Sequence, residues 1–168
     1  DSLAASSRYL GAALDGLLAL LMSLVITPLN CDDVPAVKRL LIAGLTERWG
    51  VYEPKYNLDI EGLSSRSSDS LTLVARSAGI VVGTGSLRFV GARRARVVRM
   101  STARERRRHG VAAAILQRLL DHARGSGVNE VVVETTSSWE SAIAFYTKHG
   151  FIRTHEQDGD THFVLRLR

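Results

Sequence analysis

Arg107-Arg108-His109-Gly110-Val111-Ala112 follows the β-like run Val97-Val98-Arg99-Met100-Ser101-Thr102 and opens a helical pattern that continues to Ala123. The first N–H groups of a helix have no intrahelical acceptor, and the aligned peptide dipoles leave partial positive charge there. Gly110 and Ala112 remove side-chain bulk at the point where a ligand would approach the backbone. A strand, a small-residue turn and a helix in that order make a site for phosphate.

The 168 residues suffice for one domain with a substantial core. A hydrophobic share of 45% with 23% charged residues is ordinary for a globular chain and argues against wholesale disorder. The single cysteine, Cys31, excludes an intrachain disulfide and a cysteine-based zinc cluster, so a reducing cytoplasm is the expected compartment. It lies in the polar turn Asn30-Cys31-Asp32-Asp33 and is not read as a nucleophile. The net charge of +5 suits an anionic ligand or nucleic acid. Arg93, Arg94, Arg96, Arg99, Arg104, Arg106, Arg107 and Arg108 concentrate that charge around the turn.

Leu17 to Ile26 is almost wholly apolar, but Asp15 precedes it and the run is short for a membrane span. Arg8 alone is basic ahead of it, which does not suit a signal peptide. Met22-Ser23-Leu24-Val25 reads as a natural start, which makes residues 1–21 an upstream extension. An extra packed or dimer-forming helix is the alternative, and a membrane anchor is disfavoured.

From Ser23 the elements alternate. Ser23–Leu29 is strand-like, and Asp32 and Asp33 stand at N-cap positions before Val34, Val37, Leu40, Leu41 and Leu45 at helical spacing. Pro35 suits the first turn of that helix. Residues 49–63 read as irregular with a short helix near Asp59–Leu63, and Ser64–Ser70 as a serine-rich loop. Leu71–Arg76 and Ile80–Phe89 read as a hairpin across Ser77-Ala78-Gly79, with Gly83 and Gly85 marking a bulge or a close approach. Arg96–Thr102 is the next strand, then comes the helix Val111–Ala123 and the buried-type strand Glu130–Thr135. A helix over Trp139–His149 ends at Gly150. Phe151–Thr154 and His162–Leu167 form a last hairpin about Gln157-Asp158-Gly159-Asp160. The expected fold is α/β (α+β): a mixed, largely antiparallel sheet of six to seven strands flanked by about four helices. The glycine fingerprint of dinucleotide folds and a phosphate-loop Gly-Lys-Ser/Thr are absent, so NAD and ATP are poor ligands.

Two motifs together resemble the GNAT acyltransferase superfamily, which uses acetyl-CoA. Arg/Gln-x-x-Gly-x-Gly/Ala is matched by Arg107, Gly110 and Ala112 after a strand ending Arg99-Met100-Ser101-Thr102. Ala-x-x-x-Tyr-x-x-x-Gly-Phe is matched by Ala142, Tyr146, Gly150 and Phe151. The resemblance spans residues 23–168 and marks residues 22–168 as a single acyl-CoA N-acyltransferase domain. It implies that backbone N–H groups from Arg108 through His109, Gly110, Val111 and Ala112 to Ala113 cradle the CoA pyrophosphate. It implies also that Met100-Ser101-Thr102 lies along the pantetheine arm, with the backbone of Met100 and Thr102 pairing with it. The Thr102 N–H would polarise the thioester carbonyl. Arg107 and Arg108 either add contacts to phosphate or form a solvated basic surface.

The implied chemistry is direct attack of an amine on the acetyl carbonyl. Tyr146 matches the family's general acid, with packing against the CoA arm as the alternative. Glu134 is the candidate general base through water, or else a partner for an arginine. Glu47, Glu53 and Glu61 lie in the segment that shapes the acceptor pocket in this family, so any of them is a candidate to bind the amine. Glu47-Arg48-Trp49 and Tyr52 through Tyr56 suit a small amine or amino acid, and a protein N-terminus or lysine stays open. His109 is expected at the surface, and His122, His149, His155 and His162 lack ligand-like spacing, so no metal is expected. Trp139 stands where the family often has Asn three positions before Ala142, which puts a side-chain contact to CoA in doubt. Family members often dimerise, so a homodimer is among the states the resemblance allows. Two rivals are a non-catalytic acetyl-CoA sensor and a basic nucleic-acid-binding module. Against the second stand 6% aromatic content and the lack of a binding motif. Neither a nucleic-acid nor a membrane partner is expected.

Overall fold

The computed structural model describes residues 23–65 and 67–168; the expected extension over residues 1–21 lies outside them. In chain order the elements are β1 (Leu24–Pro28), α1 (Val34–Trp49), α2 (Leu58–Glu61), β2 (Ser70–Ser77), β3 (Ile80–Gly91) and β4 (Arg94–Thr102). Then come α3 (Val111–Gly125), β5 (Glu130–Thr136), α4 (Glu140–Lys148), β6 (Ile152–Gln157) and β7 (Asp160–Arg166). Short 3-10 turns occupy Cys31–Asp33, Pro54–Tyr56 and Arg104–Arg106. The seven strands form one sheet in the order β1-β2-β3-β4-β5-β7-β6. Every neighbouring pair is antiparallel except β4 and β5. The mixed, largely antiparallel sheet with four flanking helices is the one expected.

Local chemistry accounts for most boundaries. Ala78 and Gly79 have φ of 50° and 77°, and Asp158 and Gly159 have 52° and 86°, the paired left-handed residues of two-residue hairpin turns. Of the two expected caps, Asp33 stands at the N-cap position of α1, though its side chain makes no capping hydrogen bond. The side-chain cap belongs to Asn30, which heads the preceding 3-10 turn and accepts from the N–H groups of Asp32 (2.9 Å) and Asp33 (3.1 Å). The Asp33 carboxylate accepts in turn from the Asn30 N–H and pairs with Arg76 of β2. The 3-10 turn ahead of α1 is what puts the capped N–H groups upstream of the helix itself.

Alternation along the strands sorts the core into two layers. On one face Val111, Ile115, Leu116, Leu119, Leu120 and Ala123 of α3 pack with Leu73, Ala75, Leu87, Ala95 and Val97, and Tyr146, Phe151 and Phe163 continue this layer beyond β4. On the other face Val37 and Leu41 of α1 pack with Leu29, Ile60 and Val74. Neither apolar layer covers the second face of β5, β7 and β6. Gly83 and Gly85 mark a close approach. A Cβ at Gly83 would lie 2.6 Å from Val111 Cγ1 and 2.9 Å from Ile115 Cδ1, so glycine lets α3 settle on β3. The bulge opposite them is on β4. Thr84 pairs with Ser101 but Ser86 with Val98, and the extra residue accompanies Arg99 at φ 56°.

Candidate active site

Strands β4 and β5 pair over three positions only, Arg94 with Glu130, Ala95 with Val131 and Arg96 with Val132. Beyond them β4 bulges at Arg99, while β5 continues with β7 to Thr136. A gap therefore opens between two parallel strands, and the edge of β4 along it has no strand partner. The Ala103 N–H donates to Val82 O at 2.9 Å, toward β3. Strand alternation then turns the backbone of Thr102, and of Met100 two residues earlier, toward the gap. The outward carbonyl of Thr102 accepts from Arg107 Nε at 3.3 Å. Ser101 packs the other way, against Gly44 of α1, where a Cβ would be 2.9 Å from its Oγ.

The turn that follows is shaped for backbone donors. Arg108 and Gly110 both have positive φ, 64° and 80°. Gly110 is the N-cap of α3, and no side chain caps that end. The helix ladder begins with Ala114 N donating to Gly110 O at 2.9 Å, so the N–H groups of Val111, Ala112 and Ala113 lie ahead of it. His109 is exposed, with Nδ1 2.7 Å from Arg107 O. Nothing lies within 4 Å of a Cβ built at Gly110, so its requirement for glycine is conformational. The open, uncapped end and the small side chains behind it fit a pyrophosphate.

The last turn of α1 reaches over this region. Glu47 takes a two-pronged ion pair from Arg107, both N–O distances 2.7 Å, and the guanidinium holds its carboxyl below the usual range. Arg107 is thus engaged by Glu47 and the Thr102 carbonyl, while Arg108 remains exposed. Arg48 lies 4.5 Å over the Trp139 ring and donates to Ser141 Oγ at 3.4 Å, and Trp49 meets Trp139 edge-on at 5.5 Å. Trp139 therefore anchors the end of α1 to the start of α4. Burial lowers the Arg48 pKa, the Arg107 charge adds to that, and Glu47 and Tyr146 oppose it.

Tyr146 is 6% exposed among Phe145, Phe151 and Phe163, at ring distances of 5.2, 5.5 and 6.1 Å. Burial pushes its phenol well above the ordinary value, offset in part by the Arg48 cation, so the hydroxyl keeps its proton. Glu134 is on the other face of the sheet, because its neighbours Val133 and Thr135 are buried toward α4. Its carboxylate is 3.1 Å from Arg96 Nη1 and 3.6 Å from His162 Nδ1. Glu53 pairs with Lys55 at 3.5 Å. Glu61 accepts from Tyr52 at 2.7 Å, and burial together with that bond pushes the Tyr52 phenol up to about 12. The sequence names Arg48, Arg96, Arg99 and His162 but not the partners that they take in the fold. Arg99 binds Asp59 with both prongs, at 2.7 and 2.6 Å, and the pair ties α2 to the bulge. Burial raises the Asp59 carboxyl, but the Arg99 hydrogen bonds and charge outweigh it and the net shift is downward.

The gapped sheet, the uncapped turn and the buried tyrosine make one cleft, and comparison with known proteins gives the family. The model of the Acetyltransferase (GNAT) family matches residues 34–151, well over half of the chain. The chain belongs to the GNAT acetyltransferase family. The curated mouse (Mus musculus) relative probable N-acetyltransferase family 8 member 5 is 36% identical over 86 residues, 48% of this chain and 38% of its own length. Mouse N-acetyltransferase 8 is 34% identical over 88 residues, 49% and 39% of the two chains. The matched stretch thus spans well under half the length of these relatives. Among solved structures, the PaiA N-acetyltransferase of Thermoplasma acidophilum in complex with coenzyme A superposes with a TM-score of 0.76 at 19% identity. The match covers 87% of this chain and 100% of that one. A GNAT acetyltransferase from Staphylococcus aureus gives 0.79 at 13% identity over the same shares. At these identities the structures establish the fold. Among the described residues, no helix is long and apolar enough to cross a membrane.

Proposed function

We propose that the protein is an acetyl-CoA-dependent N-acetyltransferase in which a primary amine of a small molecule or amino acid attacks the acetyl group directly. The observation that carries this reading is the unpartnered β4 edge running into the uncapped turn, with the buried Tyr146 across from it. Bound acetyl-CoA supplies an activated acyl group and a thiolate leaving group. The N–H groups of Val111, Ala112 and Ala113 hold the pyrophosphate at the positive end of α3. Met100 and Thr102 align the pantetheine arm as an added strand, and the Thr102 N–H faces the acyl carbonyl. Arg107 stands at the same carbonyl that the arm would pair with, so its guanidinium must share Thr102 or turn toward phosphate. Tyr146 protonates the departing sulfur, a role that its raised pKa suits because the acid form persists at neutral pH. Glu134 accepts the amine proton through water.

The test is a thiol-release assay over a panel of amines and amino acids, with calorimetric titration of acetyl-CoA beside it. Binding with turnover on at least one amine is expected, and Glu134→Gln is expected to lower kcat on it by about a hundredfold. Tight binding without turnover on any amine would instead favour a sensor.

A further inference from the structure

The open face of the sheet carries a row of polar side chains that the fold alone does not require. Arg96 of β4, Glu134 of β5, His162 of β7 and His155 of β6 stand side by side across four strands. Glu134 and His162 are register partners, and so are His162 and His155. Arg96 Nη1 is 3.1 Å from Glu134 Oε1, which leaves Oε2 toward His162 Nδ1 at 3.6 Å. The two imidazoles are stacked, 4.3 Å apart and within 5° of parallel. Thr154 Oγ1 fixes the outer ring by its contact with His155 Nδ1 at 3.0 Å. Arg94, Thr154, Val132 and Val164 also line the small cavity here, with Arg94 drawn to Glu130 at 2.9 Å.

The row runs from the gap between β4 and β5 outward to the edge strand β6, whose residues are all exposed. Glu134 has one oxygen committed to an arginine and the other to a histidine, so a proton that reaches it has one onward acceptor within the row. Histidine is the side chain able to exchange a proton between about pH 5 and 8.

On the reading that Glu134 is the base, we propose that His162 is the relay behind it, carrying the proton of the attacking amine from the cleft to solvent. The amine N–H bond breaks as an O–H bond forms on the intervening water, and that water gives up a proton of its own as a Glu134 O–H forms. That bond breaks as Nδ1–H forms on His162, and the imidazolium then releases a proton to water. The 3.6 Å separation must shorten for transfer, as such contacts do when an acceptor fills the site. His155 is a positioning residue that holds the His162 ring flat against the row.

The experiment is the pH profile of kcat/KM from pH 5 to 9, on the best amine of the panel, for the parent, His162→Asn, His162→Gln and Glu134→Gln. Asparagine keeps a hydrogen-bonding group at the Nδ1 position and restores a structural role, but it cannot carry the proton. Both His162 variants are expected to lose about tenfold in kcat/KM at pH 8, to lack the acid-side decline of the parent, and to regain rate with added imidazole. An unchanged profile in His162→Asn and His162→Gln, beside a damaged Glu134→Gln, overturns the relay and leaves the base reading intact. An undamaged Glu134→Gln removes both.

Discussion

The two sides of the β4–β5 gap are built on different principles. The side toward α3 is made of backbone: the outward edge of β4 and the first N–H groups of a helix, with seven residues of chain between Thr102 and Gly110. The side toward α1 is made of side chains from Arg96, Glu134 and His162, which are far apart in sequence and meet only through strand register. A backbone site needs small residues and a conformation, so many sequences can build it. A side-chain site needs particular residues on particular strands, so it can change with the acceptor while the donor site stays the same. The last turn of α1 joins the two, with Glu47 clasping the phosphate turn and Arg48 and Trp49 resting on Trp139.

The strongest way to break the comparison is Tyr146→Phe. The ring packing survives, so stability should hold while kcat falls by about a hundredfold or more in the thiol-release assay. Because burial raises this phenol, its acid form persists, and the parent should show no alkaline decline from Tyr146 up to pH 9. Next is Ala112→Glu, which separates phosphate binding from helix stability. An acidic side chain in the first turn of α3 favours the helix, so the melting temperature should rise slightly. The same charge opposes pyrophosphate, and acetyl-CoA affinity should fall by about tenfold or more in calorimetry.

Gly83→Val tests whether the donor side depends on α3 lying close to β3. Its Cβ would meet Val111 and Ile115 at 2.6 and 2.9 Å. The expected cost is about 1–3 kcal/mol. That corresponds to roughly 2–4 °C in Tm for each kcal/mol, with weaker acetyl-CoA binding because the turn moves with Val111. The smallest effect is expected from Glu47→Gln. Arg107 depresses the Glu47 carboxyl, so the pair's stabilisation is present above the ordinary carboxylate range and is lost as pH falls through the depressed value. Thermal melts of parent and variant should differ slightly at pH 7 and converge once the pH falls below the depressed Glu47 value. A difference that persists there would mean that Glu47 acts through packing.

Local rules explain why most of the fold was legible. Ala78-Gly79 and Asp158-Gly159 have the turn chemistry of hairpins, and both hairpins are present. Gly83 and Gly85 announced a close approach, and α3 makes it. Asp33 is the N-cap residue of α1, as its place before Val34 suggests, but the capping hydrogen bonds come from Asn30. Asn30, Asp32 and Asp33 are all good caps, and their identities do not reveal the 3-10 turn that decides between them. The bulge at Arg99 was invisible, since nothing in Val98-Arg99-Met100 favours a positive φ. It becomes understandable only with Asp59, which holds the guanidinium from α2.

By itself the sequence determined what short-range physics controls: strands by alternation, helices by period and caps, and the Arg107–Ala112 turn by glycine and the needs of a helix end. Two motifs in order were enough for the family. Tertiary structure decided which charged groups meet. Arg107 finds Glu47, Arg48 finds Trp139, and Glu134 lies between Arg96 and His162. The physical reason is that a one-residue change of register or the placing of a single bulge moves a side chain to the other face. Those are properties of the assembled sheet, and no single stretch of chain contains them.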